Sequence, residues 1–153
     1  MSQLLKTEQV LHEMKKYQLD VLALSEVRCT GSGEKQLDNQ CIILYCGPES
    51  RHEKGVALMM TRETSIFLLN WAPVSSRIFV ARFSDRQAKL FVAVCYALTN
   101  VIEIECKEEF CRTLQSVDIP RNYIKCILGD LNVVVRNDES YCPLALGRHG
   151  MGV

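Results

Sequence analysis

Two carboxylates in this chain stand where an apolar strand pattern ends. "VLALSE" runs into Glu26, and "CILGD" runs into Asp130, with Asn132 two positions further on. A third apolar run, "VAVCYALTN", ends on Tyr96, Thr99 and Asn100. Side chains delivered to loops by rigid strands are common sites of binding and catalysis. A hard cation such as Mg2+ takes oxygen ligands, often one or two carboxylates plus water and substrate phosphate. Glu26 suits that role. An Asp–Asn pair can orient and deprotonate a water while the amide holds a phosphate oxygen. Together these residues suggest metal-assisted phosphodiester hydrolysis. Each also has a plainer reading. Glu26 is equally a solvated acid paired with Arg28, and Asp130 with Asn132 an Asx-type turn. Tyr96 is a good strand residue anyway, and Asn100 a plausible helix cap.

The elements that must position these groups are legible as periodicities. Leu4, Leu5, Val10, Leu11, Met14 and Tyr17 form one stripe between Lys, Glu and His, which predicts an amphipathic helix over about 2–17. "LDVLALSEV" (19–27) is a short apolar run of the kind buried on both faces. "CTGSGEKQLDNQ" reads as a polar loop. Strands are then expected at 41–46, 55–60, 65–71, 77–83 and 90–98, with turn signals such as Cys-Gly-Pro and Ala-Pro between them. A second helix is expected over about 102–116, with Ile104, Phe110, Cys111, Leu114 and Val117 on its apolar side. Asn100 and Glu103 have the form of a capping box at its start. "YIKCILGD" (123–130) is the last strand, and the tail "NDESYCPLALGRHGMGV" reads as loop. Helices separated by a run of strands suggest a layered α/β or α+β domain.

Bulk properties set bounds on this picture. The chain has 153 residues, enough for one domain with a real core. Lys+Arg and Asp+Glu are both 18, so net charge offers no support for nucleic-acid binding, although a local basic groove remains compatible. No apolar run approaches the ~20 residues needed to span a bilayer. The polar N-terminus does not have the form of a signal peptide. The expectation is a soluble intracellular protein, nuclear or cytoplasmic.

Eight cysteines is a high count, and an intracellular chain keeps them reduced. Cys41/Cys46 and Cys106/Cys111 each sit five apart, so zinc deserves weighing. On a strand that interval points two side chains to opposite faces, and on a helix it separates them by ~140°. Neither geometry suits one metal ion. Buried or incidental thiols are the expectation.

The blocks "LDVLALSEVRCTGSG", "GVALMM", "RIFVARF", "CYALTN", "GDLN" and "GRHGMG" occur in an order that resembles the endonuclease/exonuclease/phosphatase superfamily. More narrowly, they resemble the apurinic-type endonuclease domain of RTE-like non-LTR retrotransposons and craniofacial development protein 2-like host proteins. The resemblance covers roughly residues 19–152. It implies an α/β two-sheet sandwich flanked by helices and a Mg2+-dependent DNA endonuclease chemistry, with Mg2+ or Mn2+ as the cofactor and DNA as the partner. Residue by residue, Glu26 matches the metal-binding glutamate and Arg28 a basic residue near the phosphate. Tyr96 matches the tyrosine on the scissile phosphate, and Asp130 the aspartate that activates water. Asn132 matches the phosphate-contacting amide. Asn100, or Thr99 beside it, matches the asparagine that closes a "YAPTN"-like block.

The sequence also departs from that pattern. The "WN" strand that opens the family lies upstream of the first residue here, and the family's C-terminal Asp-and-His pair has no match. Leu98 replaces a Pro, Cys29 a Trp, Val133 a small residue and Arg136 a Gly. His149 is not part of the Asp-and-His pair and reads as an exposed loop residue. The resemblance therefore implies a domain truncated at both ends, with weak metal binding and catalysis so impaired that the chain alone is expected to be inactive. The competing expectation is a non-catalytic remnant with no function or one that binds a protein through an exposed sheet edge, or nucleic acid. A third is another superfamily substrate, such as a phosphoinositide or sphingomyelin.

Overall fold

The run "CIILYC" has no polar residue, and a strand hidden on both faces accounts for it. In the computed structural model it forms β3, Cys41–Cys46, with Cys41, Leu44 and Cys46 buried. The structure describes residues 2–37, 40–50, 54–97 and 104–132. The elements before β3 are α1 (Ser2–Lys16), β1 (Val21–Arg28) and β2 (Ser32–Leu37). After it come β4 (Lys54–Thr61), α2 (Arg62–Ser65), β5 (Leu68–Ser75), β6 (Ile78–Ser84), β7 (Lys89–Tyr96), α3 (Ile104–Gln115) and β8 (Ile124–Asp130).

The strands form two four-stranded sheets, ordered β1-β4-β3-β2 and β5-β6-β7-β8. All pairs are antiparallel except β7 with β8. A parallel pair needs a crossover, and α3 lies in that connection. Alternate side chains then sort into three apolar layers. Leu44, Cys46, Val56, Leu58 and Met60 of the first sheet meet Phe79, Ala81, Phe83, Val92, Val94 and Tyr96 of the second. The outer face of the second sheet, with Ile78, Phe91, Ala93 and Cys95, packs under Phe110, Leu114 and Val117 of α3 and its end. The outer face of the first sheet packs Cys41 and Met59 under Val10, Leu11 and Met14 of α1. The result is the expected two-sheet α/β arrangement with helices outside.

Cys41 and Cys46 end on opposite faces of β3, one under α1 and one between the sheets. Burial pushes the Cys46 thiol up to about 11, with Cys29 adding to the shift, and burial alone pushes Cys95 to about 11. Cys106 and Cys111 are exposed on α3, so Cys111 does not belong to the helix's apolar side. Alkylation at pH 8 should therefore modify Cys106 and Cys111 first and Cys46 and Cys95 last. Peptide mass mapping over a time course would show at least roughly tenfold separation, because the thiolate is the reacting form. The same shifts give a sign for stability. Both raised thiols favour the folded state fully below the ordinary cysteine range, and that contribution fades as pH climbs toward about 11.

Four further expectations need correcting. The "polar loop" contains β2, whose Ser32–Leu37 pairs with β3 at the sheet edge, where charged residues are tolerated. The strand expected at 65–71 is β5, Leu68–Ser75, and Pro73 lies inside it instead of in a turn. An edge strand can hold a proline because one side of it has no ladder to feed. Tyr17, placed on the core stripe of α1, is 63% exposed. Finally β1, read as buried on both faces, pairs only with β4 among the described strands and is half-buried along Val21–Ser25. Asn100 and the capping box, Thr99, Leu98, Val133, Arg136 and His149 lie outside the described residues. No helix among the described residues is long and apolar enough to cross a membrane.

Candidate functional site

The parallel register sets Tyr96 directly beside Asp130, at the C-terminal ends of β7 and β8. The ladder continues one step further, where the Ala97 N–H donates to the Asp130 carbonyl at 2.8 Å. Beyond β8 the chain turns at once. Asn132 takes a left-handed conformation (φ 47), which Asn tolerates better than most residues. Its backbone N–H donates to Asp130 Oδ1 at 2.9 Å, and its side-chain Nδ2 donates to the Ala97 carbonyl at 2.8 Å. Asp130 and Asn132 thus do form an Asx-type turn, and that turn fixes both against the end of β7.

Gly129 is the residue that allows this approach. Its φ of 128 is a conformation that residues with a Cβ rarely adopt, and a Cβ there would fall on the carbonyl oxygen of Cys95.

Glu26 arrives from the other sheet. The β1–β4 ladder is regular through Ser25↔Val56 and resumes at Val27↔Gly55, so Glu26 is an extra residue in a β-bulge. Its φ of 58 costs on the order of 1–2 kcal/mol for a side-chain-bearing residue. A bulge re-aims a side chain, and here the Tyr96 hydroxyl donates to Glu26 Oε1 at 2.9 Å. Tyr96 is itself 2% exposed, so its ring is anchored in the core while its hydroxyl reaches the rim.

The structure therefore brings Glu26, Tyr96, Asp130 and Asn132 to one end of the sandwich. Arg28 ends β1 two residues past Glu26 and is exposed, with its backbone paired to Lys54. Cys29 follows it, and its Sγ lies close over Gly47 and Gly55, which leaves little space for a larger residue. One residue at this end went unread in the sequence. Arg77, just before β6, holds its guanidinium 5.2 Å from the centre of the Tyr96 ring. An arginine at a hairpin end carries no periodic signal; only the register with β7 reveals its neighbour.

The donors are hard oxygens, which fit Mg2+ or Mn2+ in kind. Among the described residues no group of three His, Cys, Asp or Glu gathers around one point.

No protein-family model matches the chain. It is 31% identical over 150 residues to craniofacial development protein 2 of Bos taurus, a match spanning 97% of this chain and 25% of that protein. It is 30% identical over 150 residues to craniofacial development protein 2 of Tragulus javanicus, spanning 97% of this chain and 26% of that protein. Nearly the whole of this chain is thus similar to about a quarter of craniofacial development protein 2.

Proposed function

We propose that this chain forms part of a retrotransposon-derived, endonuclease/exonuclease/phosphatase-type DNA endonuclease domain, with Glu26, Tyr96, Asp130 and Asn132 in its phosphodiester-hydrolysing centre. The observation that carries the reading is Tyr96, hydrogen-bonded to Glu26 of the other sheet and standing beside Asp130 in its own, with Glu26 in a left-handed bulge. Backbone strain of this kind persists where the surroundings over-determine it, commonly at functional sites. Core packing has no need of an acid there.

In this reading Asp130 takes the proton of an attacking water and Asn132 holds a phosphate oxygen. Tyr96 orients Glu26 and, with its hydroxyl at the rim, faces the same phosphate. Asn100 and Arg28 complete the phosphate contacts. Glu26 is the metal ligand, and Mg2+ or Mn2+ supplies charge neutralisation on the phosphate when bound. With a single committed carboxylate, affinity is expected in the millimolar range, on the order of weak extracellular-type sites.

The test is nicking of supercoiled plasmid by purified chain. Nicking, slow in keeping with the impaired catalysis expected of this chain, should require millimolar Mg2+, stop in EDTA, and fall at least about tenfold in Glu26→Gln. Nicking that persists in EDTA, or that Glu26→Gln leaves untouched, would remove the metal-ligand assignment.

One observation favours a second reading, a non-catalytic binding module. Among the described strands β1 and β8 are open edges of the two sheets, and Ile124, Ile127 and Leu131 are exposed at or next to β8. Open edges can accept a strand from a partner. Folded protein that binds a partner or DNA with no nicking at any Mg2+ concentration would favour it.

A further inference from the structure

We propose that Arg77 is a phosphate-contacting residue of this centre, binding the polynucleotide backbone beside Tyr96; the proposal rests on the nuclease reading above. Three observations carry it. The guanidinium lies over the Tyr96 ring, 5.2 Å from its centre, while the hydroxyl of the same ring donates to Glu26. The Tyr96 N–H also donates to the Arg77 carbonyl at 2.9 Å, so backbone and side chain of the two residues are locked together. Lys16 pairs with Glu13, whereas among the described residues no carboxylate forms an ion pair with Arg77. Its charge is held at the site and left available to an anion.

The chemistry asks for such a group. Glu26 and Asp130 put two carboxylates where a phosphodiester must approach, and that like charge opposes binding. A half-buried guanidinium resting on an aromatic face is already partly ordered and desolvated, so little further freedom is lost when it meets a phosphate. Its planar fork matches two phosphate oxygens at once. In sequence along the end of the second sheet, β8 contributes Asp130 and Asn132, β7 Tyr96, and the entry to β6 Arg77. The row runs from water activation to anion binding.

The experiment is fluorescence anisotropy of a short labelled DNA duplex with the chain in EDTA, where cleavage does not compete. Affinity is followed from about 50 to 200 mM KCl. Arg77→Gln should weaken binding about tenfold at the low-salt end, and its log–log salt slope should be shallower by about 0.9, one phosphate contact. Arg77→Lys should restore the slope but not all of the affinity, since a point charge replaces the fork. Arg62→Gln, at the opposite end of the first sheet, should behave as wild type. Melting curves of all variants confirm that folded protein is compared. A slope unchanged in Arg77→Gln, or lowered equally in Arg62→Gln, overturns the role of Arg77 alone. Folded wild-type chain with no salt-dependent duplex binding overturns the nuclease reading and this proposal with it.

Discussion

Asp130→Asn should cut plasmid nicking by roughly 10^2–10^4-fold, the loss typical of a general base, while leaving the fold almost untouched. The reason lies in how the carboxylate divides its work. Oδ1 accepts the Asn132 N–H at 2.9 Å and holds the turn; the second oxygen takes no part in that bond. Asparagine keeps an acceptor for the Asn132 N–H, so the turn survives, but an amide cannot take a proton from water at neutral pH. Asp130→Ala removes the acceptor too and should add about 1 kcal/mol of destabilisation. Urea unfolding beside the nicking assay separates the two contributions. Nicking within a few-fold of wild type in Asp130→Asn would show that Asp130 is only a turn residue.

The largest effect on stability is expected at the preceding residue. Gly129→Ala combines a backbone conformation that disfavours any side chain with a Cβ placed on the Cys95 carbonyl oxygen. That oxygen belongs to the neighbouring strand of the parallel pair, Cys95 standing opposite Gly129, so it cannot move without breaking the ladder. Conformational strain and overpacking each cost about 1–3 kcal/mol, and together they should remove about 3–5 kcal/mol. A domain of this size holds roughly 5–15 kcal/mol in total, so a substantial part of the fold's margin is at stake. Gly31 is the internal control. Its φ is also positive, at 65, but nothing lies within 4 Å of the position of a Cβ. Gly31→Ala should therefore cost about 1–2 kcal/mol, the conformational part alone. Equal losses at the two positions in urea melts would mean that the close approach to Cys95 is not what demands the glycine.

How far the sequence reveals this molecule depends on what each element owes to local pattern. Strands β3, β6 and β7 read well because they are apolar and central; β3 falls on Cys41–Cys46 as expected, and β8, though an edge, reads from its apolar run. Edge strands with polar residues or a proline read poorly. β2 carries Ser32, Glu34, Lys35 and Gln36, a composition that polar-loop and edge-strand readings share, and only its partner β3 decides between them. β5 was displaced because Pro73 looks like a turn residue until one knows that the strand's other side is unpaired.

The candidate site divides the same way. Asp130 and Asn132 announce themselves by spacing, and Tyr96 by closing its strand. The meeting of Glu26 with Tyr96 depends on how two sheets stack, which no window of sequence contains. The family resemblance placed both residues in one centre as an expectation but not in contact with each other; periodicity gave neither. Arg77 was invisible for a further reason. Its neighbour is set by antiparallel register, Ile78 opposite Cys95, and a one-residue slip would have carried it elsewhere.

The bulge at Glu26 also says what the sheet does not require. Ser25 pairs with Val56 and Val27 with Gly55, consecutive residues on β4, so the ladder counts straight past Glu26 as if it were not there. Deleting that codon would leave a regular strand with every rung in place and Val27 and Arg28 on their present partners. The acid is therefore surplus to the architecture, a letter inserted between two rungs. A strand that carries such a letter, in a strained conformation and joined to a tyrosine of the opposite sheet, holds it for a reason other than folding.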